Sequence, residues 1–340
     1  MRALVVEGPR RGSVQQLDAP VPQEGELLVD VERVGLCGTD VELYTGEMAY
    51  FEQGLTHFPL RLGHEWTGRV SAVGPLTDPS WIGQRITGDT MLGCGRCQAC
   101  VGGKHYVCAE RDEIGITDGW PGALAEQMLV AERFAHRIPD NVSVAAAAMV
   151  EPGGNSLRAV EAARLSPGGR LLVLGSGTIG LLAAQIGLAR GLDVHVAGAR
   201  ASSLALAQDL GVEHVYELGA LGRDFGLRFD AVIDASSDPG MPALAVSLVS
   251  PAGRVVLIGL SSAPSLIDSR ALVLADVTAV GILSASPGLG GAIELFASGA
   301  VNPEPLVSEV IGLEEVTSRL EGRRGMNSGP GPKVQVDPSK

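Results

Sequence analysis

Four of the chain's five cysteines fall within fifteen residues, spaced C-x2-C-x2-C-x7-C at Cys94, Cys97, Cys100 and Cys108. Short C-x2-C loops let successive thiolates converge on one tetrahedral Zn²⁺ without straining the backbone, so the lobe reads as a structural zinc site. Four thiolates saturate the ion and leave no position for a substrate. The fifth cysteine, Cys37, precedes Gly63-His64-Glu65. A catalytic zinc takes fewer protein ligands and keeps an open position, which suits a lone cysteine with a histidine and carboxylates from distant segments. Cys37, His64, Glu65 and a later Glu151 meet that description.

A chain of 340 residues with 45% hydrophobic content is long enough for two cores, so two domains are expected. An odd number of cysteines and the lack of a charged-then-apolar leader point to a reducing compartment, and the cytoplasm is the expected location. Apolar stretches such as 181–189 end well short of the roughly 20 residues that span a bilayer. The net charge of −13 opposes binding to nucleic acid or anionic lipid, which a basic face would favour.

The first half alternates in short apolar runs, at 2–6, 26–34 and 67–73, punctuated by Pro20, Pro22 and Gly25, and resembles a small barrel or meander. The second half changes rhythm. Runs at 171–174, 194–197, 231–235 and 255–259 read as buried strands, with a helix over 179–190 between the first two, which implies right-handed βαβ units and a parallel sheet. The expected layout is a catalytic domain over 1–150 carrying the zinc lobe at 94–108, a nucleotide-binding domain over 151–286, and a segment 287–340 returning to the first domain. That segment ends in an edge strand at 334–336.

The run Leu171-Leu-Val-Leu-Gly175-Ser-Gly177-Thr178-Ile179-Gly180 places G-x-G-x-x-G directly after a buried strand and before a helix, the context a dinucleotide fingerprint requires. Gly175 makes the tight turn, Gly177 lets a pyrophosphate approach the backbone, and Gly180 lets helix and strand pack closely. The helix start, at Thr178 and Ile179, offers unpaired N–H groups to phosphate. About 20 residues on, where NAD sites carry an acid for the ribose hydroxyls, the chain has Gly198 and then Arg200. That pair leaves space and charge for a 2′-phosphate, so NADP(H) is expected over NAD(H). Otherwise Arg200 merely starts the next helix and either cofactor is accepted.

Gly35-Leu-Cys37-Gly-Thr39-Asp40, Gly63-His64-Glu65, the four-cysteine lobe, Glu151-Pro152 and Gly175–Gly180 together resemble the zinc-dependent medium-chain dehydrogenase/reductase family. Glu151, in place of a cysteine, is similar to the polyol and threonine dehydrogenase branch. The resemblance implies an α/β chain with a GroES-like β-barrel catalytic domain, a Rossmann doubly wound parallel-sheet domain, an active site in the cleft between them, and a homodimer or homotetramer. It implies two zinc ions per subunit, the catalytic one held by Cys37, His64 and Glu151, with Glu65 a nearby carboxylate that exchanges with Glu151 or water. It makes Thr39 the hydroxyl that relays the substrate proton and Asp40 the acid behind His64. Relatives often carry a histidine five residues after this cysteine. Here Glu42 stands there, leaving Glu42, His57 or water to carry the proton outward.

The implied activity transfers a hydride between NADP(H) and a secondary alcohol or ketone, of the polyol, cyclitol, sugar or amino alcohol kind. Tyr44, Tyr50, Phe51 and Trp120 are candidate pocket residues, whereas His105, His136, His195 and His214 sit in no recognisable motif. The alternatives are a zinc-free enone or quinone reductase on the same scaffold and a non-catalytic cofactor-binding protein.

Overall fold

Strands with one apolar face build the first part of the chain. In β3 (Glu26–Gly35) the buried residues Leu27, Val29 and Val31 alternate with exposed or half-buried neighbours, and a break in register after Val31 brings Val34 back to the core. The computed structural model describes every residue except 223, 224, 262, 324, 326 and 327. It separates into one unit of Met1–Glu151, Val307–Gly329 and Lys333–Lys340 and another of Pro152–Leu306 and Pro330–Pro332.

In the first unit, β1 (Arg2–Gly8) and β2 (Arg11–Gln16) form a hairpin. β3 pairs antiparallel with β4 (Glu65–Val73), which pairs with β5 (Arg85–Gly88). Two short strands, β6 (Met91–Leu92) and β7 (Asp112–Glu113), bracket the cysteine lobe. β8 (Gln127–Ala131) pairs with the first half of β3, and β9 (Ala135–Arg137) with β5. Trp66, Tyr44, Leu62, Ile86 and Met128 fill the core. Tyr44 is thereby a core residue whose hydroxyl donates to the Arg10 carbonyl at 3.1 Å, which removes it from the expected pocket.

In the second unit, β10 (Arg170–Leu174), β11 (Asp193–Gly198), β12 (His214–Glu217), β13 (Phe229–Asp234), β14 (Val249–Leu257) and β15 (Thr278–Gly281) are all parallel, in the order β12-β11-β10-β13-β14-β15. This is the 3-2-1-4-5-6 order of a doubly wound dinucleotide-binding sheet. The sequence falls into it because its strands, covered on both faces, are nearly continuous in Val, Leu, Ile and Ala.

The expected return to the first unit at 287 is corrected to Val307. The helix Leu289–Ala297 stays with the second unit because Ala292 and Phe296 pack against Gly153, where they leave no room for a side chain. The chain then forms β16 (Val307–Ile311) and β17 (Lys333–Val336). β17 is not the edge strand expected: it lies between β16 and the end of β3. No helix among the described residues is long and apolar enough to cross a membrane.

Asp234, the last residue of β13, is 1% exposed and accepts the Ser236 N–H at 3.0 Å. Burial pushes its carboxyl up to about 6 against this bond. A carboxyl raised on folding favours the folded state only while protonated, so its penalty grows as pH rises from about 4 to about 6 and then stays constant, at about 3 kcal/mol. Asp234→Asn, which keeps an acceptor for Ser236, is therefore expected to be more stable than wild type at pH 8 by up to that amount. In denaturant titrations the advantage should shrink below pH 6 and vanish near pH 4; an advantage independent of pH would contradict this origin.

Candidate metal centres and nucleotide turn

The first centre forms where β3 ends and β4 begins. Cys37 caps the helix Gly38–Thr45, and its backbone N–H donates to Asp40 Oδ2 at 2.8 Å. The other oxygen of Asp40 accepts the Gly63 N–H at 3.3 Å and lies 3.5 Å from His64 Nδ1. The buried Asp40 thus ties the cysteine loop to the Gly63-His64-Glu65 turn. Cys37, His64 and Glu65 bring one ligand atom each to within 4.8 Å of one another. Gly35 makes this possible, since a Cβ there would overlap the Glu65 carboxylate. Glu151, 8% exposed, stands outside that group, so three of the four expected ligands converge. The Thr39 side chain is half-buried.

Sequence reasoning missed Lys333. Its ammonium, 3% exposed, donates to Glu65 Oε2 at 2.5 Å and to the Leu36 carbonyl at 2.9 Å. Burial disfavours a charged lysine, but the negative charges of Glu65 and Cys37 prevail and raise its pKa. Burial likewise disfavours a charged His64, and Asp40 and Cys37 more than offset it, raising that pKa well above the usual histidine range. Both shifts report the same gathering of acidic groups, and Cys37, His64 and Glu65 offer the sulfur, imidazole and carboxylate donors that a borderline divalent cation prefers. The donor set fits zinc. The lone signal for Lys333 in the sequence is that it is one of only three lysines and falls in an apolar run.

The second centre is the cysteine lobe, whose four sulfurs lie within 4.8 Å of one another as free thiols. The Cys94–Cys100 and Cys97–Cys108 sulfurs are 4.0 and 3.7 Å apart. Zn–S bonds of about 2.3 Å in a tetrahedron put the sulfurs about 3.8 Å apart, so the donors fit this ion as well. The backbone N–H groups of Arg96 and Cys97 lower the Cys94 thiol to about 6, toward the thiolate a metal needs.

At the nucleotide turn, Gly175 has φ of +110°, and a Cβ on Gly180 would overlap the Gly175 carbonyl, so the strand can pass into the helix Thr178–Ala189 only with glycine at both places. The first N–H groups of that helix have no partner within it. Gly198 ends β11, and a side chain there would overlap Ser176. Arg200 is exposed and makes no ion pair among the described residues.

Of the aromatic candidates, Tyr50 donates to Glu113 at 3.2 Å, Phe51 stacks on Phe58 at 4.6 Å, and Trp120 lines a cavity of about 550 Å³. None of Cys37, Thr39, His64 or Glu65 lines that cavity. The exposed His57 is held by Asp118 at 2.7 Å. The histidines that matched no motif gather on acids. His105 and His136 meet Asp89 at 3.1 and 3.8 Å, and His195 and His214 meet Asp193.

Comparison with known proteins agrees with this arrangement. Residues 23–140 match the alcohol dehydrogenase GroES-like domain and residues 178–298 the zinc-binding dehydrogenase family. The chain is 28% identical to the sorbitol dehydrogenase of Bacillus subtilis over 334 residues, covering 94% of this chain and 93% of that one. It is 29% identical to the L-threonine 3-dehydrogenase of Pectobacterium atrosepticum over 280 residues, covering 79% and 75%. Among solved structures, a candidate zinc-binding dehydrogenase of Sinorhizobium meliloti bound to NADP superposes with a TM-score of 0.90 at 27% identity, over 99% of both chains. The rspB alcohol dehydrogenase of Escherichia coli CFT073 with NADH superposes at 0.89 and 26%, also over 99% of both. The chain belongs to the zinc-dependent medium-chain dehydrogenase/reductase family, in its polyol and threonine dehydrogenase-like branch, and is a nicotinamide-dependent oxidoreductase of alcohols.

Proposed function

We propose that the protein oxidises a secondary alcohol of the polyol, cyclitol, sugar or amino alcohol class, or reduces the matching ketone, with NADP(H) preferred and two zinc ions per subunit. The convergence of Cys37, His64 and Glu65 beside the buried Asp40 and Lys333 carries this reading. Sorbitol and threonine dehydrogenases among the relatives support the substrate class.

Cys37 and His64 would be the constant ligands of the catalytic ion. Glu65 and Glu151 would share the third place, since Lys333 competes for Glu65. Cys94, Cys97, Cys100 and Cys108 would hold the structural ion. When bound, zinc lowers the pKa of the alcohol and the nicotinamide takes the hydride. The Thr39 hydroxyl accepts the substrate proton. Asp40 fixes the His64 ring. Glu42 passes the proton on: it is half-buried, and burial, then Glu47, raise its carboxyl above the usual range toward the working pH. Gly175, Gly177, Thr178, Ile179 and Gly180 would receive the pyrophosphate, and Gly198 and Arg200 the 2′-phosphate.

The second unit also supports a homodimer or homotetramer. β15 is a free edge of the sheet, and Leu274 and Leu283 beside it are exposed, so pairing two copies would cover both. The protein is expected to work in the cytoplasm.

Absorbance of the reduced cofactor, followed with a panel of polyols, cyclitols, sugars and amino alcohols at mildly alkaline pH, tests the activity. Oxidation releases a proton, so rising pH favours it and falling pH favours ketone reduction. Turnover with NADP⁺ is expected, and Arg200→Ala should raise the KM for NADP⁺ by roughly 10- to 100-fold while sparing that for NAD⁺. Equal effects on both cofactors would remove the NADP assignment.

For the proton path, Glu42→Gln should lower kcat by roughly 100-fold and abolish the fall in rate at acid pH that protonation of Glu42 causes. A profile overlaying that of wild type would take Glu42 out of the mechanism.

A further inference from the structure

A third cluster of metal-binding side chains lies in the nucleotide-binding sheet, at the opposite end of its strands from the Gly175 turn. Asp193 opens β11 and His214 opens β12, and the parallel register pairs His195 with His214. Because side chains alternate along a strand, Asp193 and His195 share one face, and the paired His214 joins them there. The two imidazoles stack with centroids 4.4 Å apart and planes within 13°, so the half-exposed His214 ring has to turn about its side chain to aim its in-plane lone pair at an ion held by His195. Their Nε2 atoms lie 3.2 Å (His195) and 3.9 Å (His214) from Asp193 Oδ1, and all three ligand atoms are within 4.8 Å of one another. Metal bonds of about 2.0–2.1 Å in a tetrahedral site separate the ligand atoms by about 3.3 Å, close to this spacing.

His195 distinguishes the cluster from a chance meeting of polar groups. It is 3% exposed, yet its Nε2 makes no hydrogen bond although the Asp193 oxygen is near. Its Nδ1 is 3.0 Å from the Tyr216 hydroxyl. When that oxygen accepts the Nδ1 hydrogen, Nε2 turns a bare lone pair toward a carboxylate oxygen, a repulsive pairing that a cation between them makes attractive. Arg170, the cation that faces the cluster, bonds the other oxygen of Asp193 at 3.3 Å and leaves Oδ1 to the rings. Glu213 lines with Asp193 and His214 a cavity of about 210 Å³ that can hold the water completing a coordination shell.

We propose that Asp193, His195 and His214 form a third metal site, for a divalent transition ion that prefers nitrogen and oxygen donors, such as Zn²⁺. Two imidazoles and one carboxylate select such an ion over Mg²⁺ or Ca²⁺, which require oxygen. The half-exposed His214 makes the site accessible and its ion exchangeable, unlike those of the other two centres. The ion ties the start of β11 to the start of β12, far along the strands from the cofactor turn, and so acts on stability rather than on chemistry.

Calorimetric titration of ZnCl₂ into protein that has been dialysed but retains its tightly held zinc tests the site. Wild type should take up one further equivalent in the micromolar range, and its Tm should rise with added Zn²⁺. His214→Ala, at a half-exposed position, and Asp193→Asn should each weaken that equivalent by at least tenfold and abolish the Tm rise, with the retained zinc unchanged. No saturable extra equivalent in wild type, or the same uptake in both variants, would overturn the proposal.

Discussion

Negative charge buried where β3 meets β4 is the constraint around which the first unit is arranged. Asp40 and Glu65 are out of water and Cys37 stands beside them, an arrangement that would be strongly unfavourable without counter-charge. Lys333 supplies part of it. For this the chain must return to the first unit, and β17 must lie inside the sheet against β3, with Lys333 beside the Leu36 carbonyl and Glu65. In the proposed function, a divalent ion on the Cys37, His64 and Glu65 donors would supply further counter-charge. The position of the last strand and the electrostatics of the metal centre are therefore two aspects of one requirement.

The second unit meets a different constraint. Its parallel strands are covered on both faces, so ligands are met at strand ends. At the carboxyl end of β10 the turn through Gly175 and Gly180 opens the backbone to phosphate, and Gly198 and Arg200 stand at the end of the neighbouring strand. At the amino ends, Asp193, His195 and His214 gather at the other rim of the same sheet. One parallel register thus sets out two chemically distinct rims.

Much of this was legible in the residues alone. The cysteine lobe and the glycine turn are local, and their spacing nearly determines their geometry, so the convergence of Cys94, Cys97, Cys100 and Cys108 and the turn at Gly175 and Gly180 could be read without a fold. The strands of the parallel sheet were legible as short apolar runs. What escaped depends on contacts between distant segments. Lys333 belongs to no motif, and only the internal placement of β17 brings it to Glu65. His195 and His214 look like isolated histidines until the register of β11 and β12 pairs them. Tyr44 follows the Cys37 motif closely, yet helix periodicity turns it into the core. Glu151 ends the first unit's opening segment, and convergence of side chains from separate elements is set by packing that no spacing encodes.

The central claim is that Cys37 and His64, beside the buried carboxylates of Asp40 and Glu65, hold a tightly bound zinc ion separate from that of the cysteine lobe. The direct measurement is the zinc content per chain after gel filtration in metal-free buffer, for wild type and for Cys37→Ala. The account predicts two ions in wild type and one in the variant, the ion of the Asp193 cluster having exchanged away. A single ion in both proteins, or two in both, would contradict it.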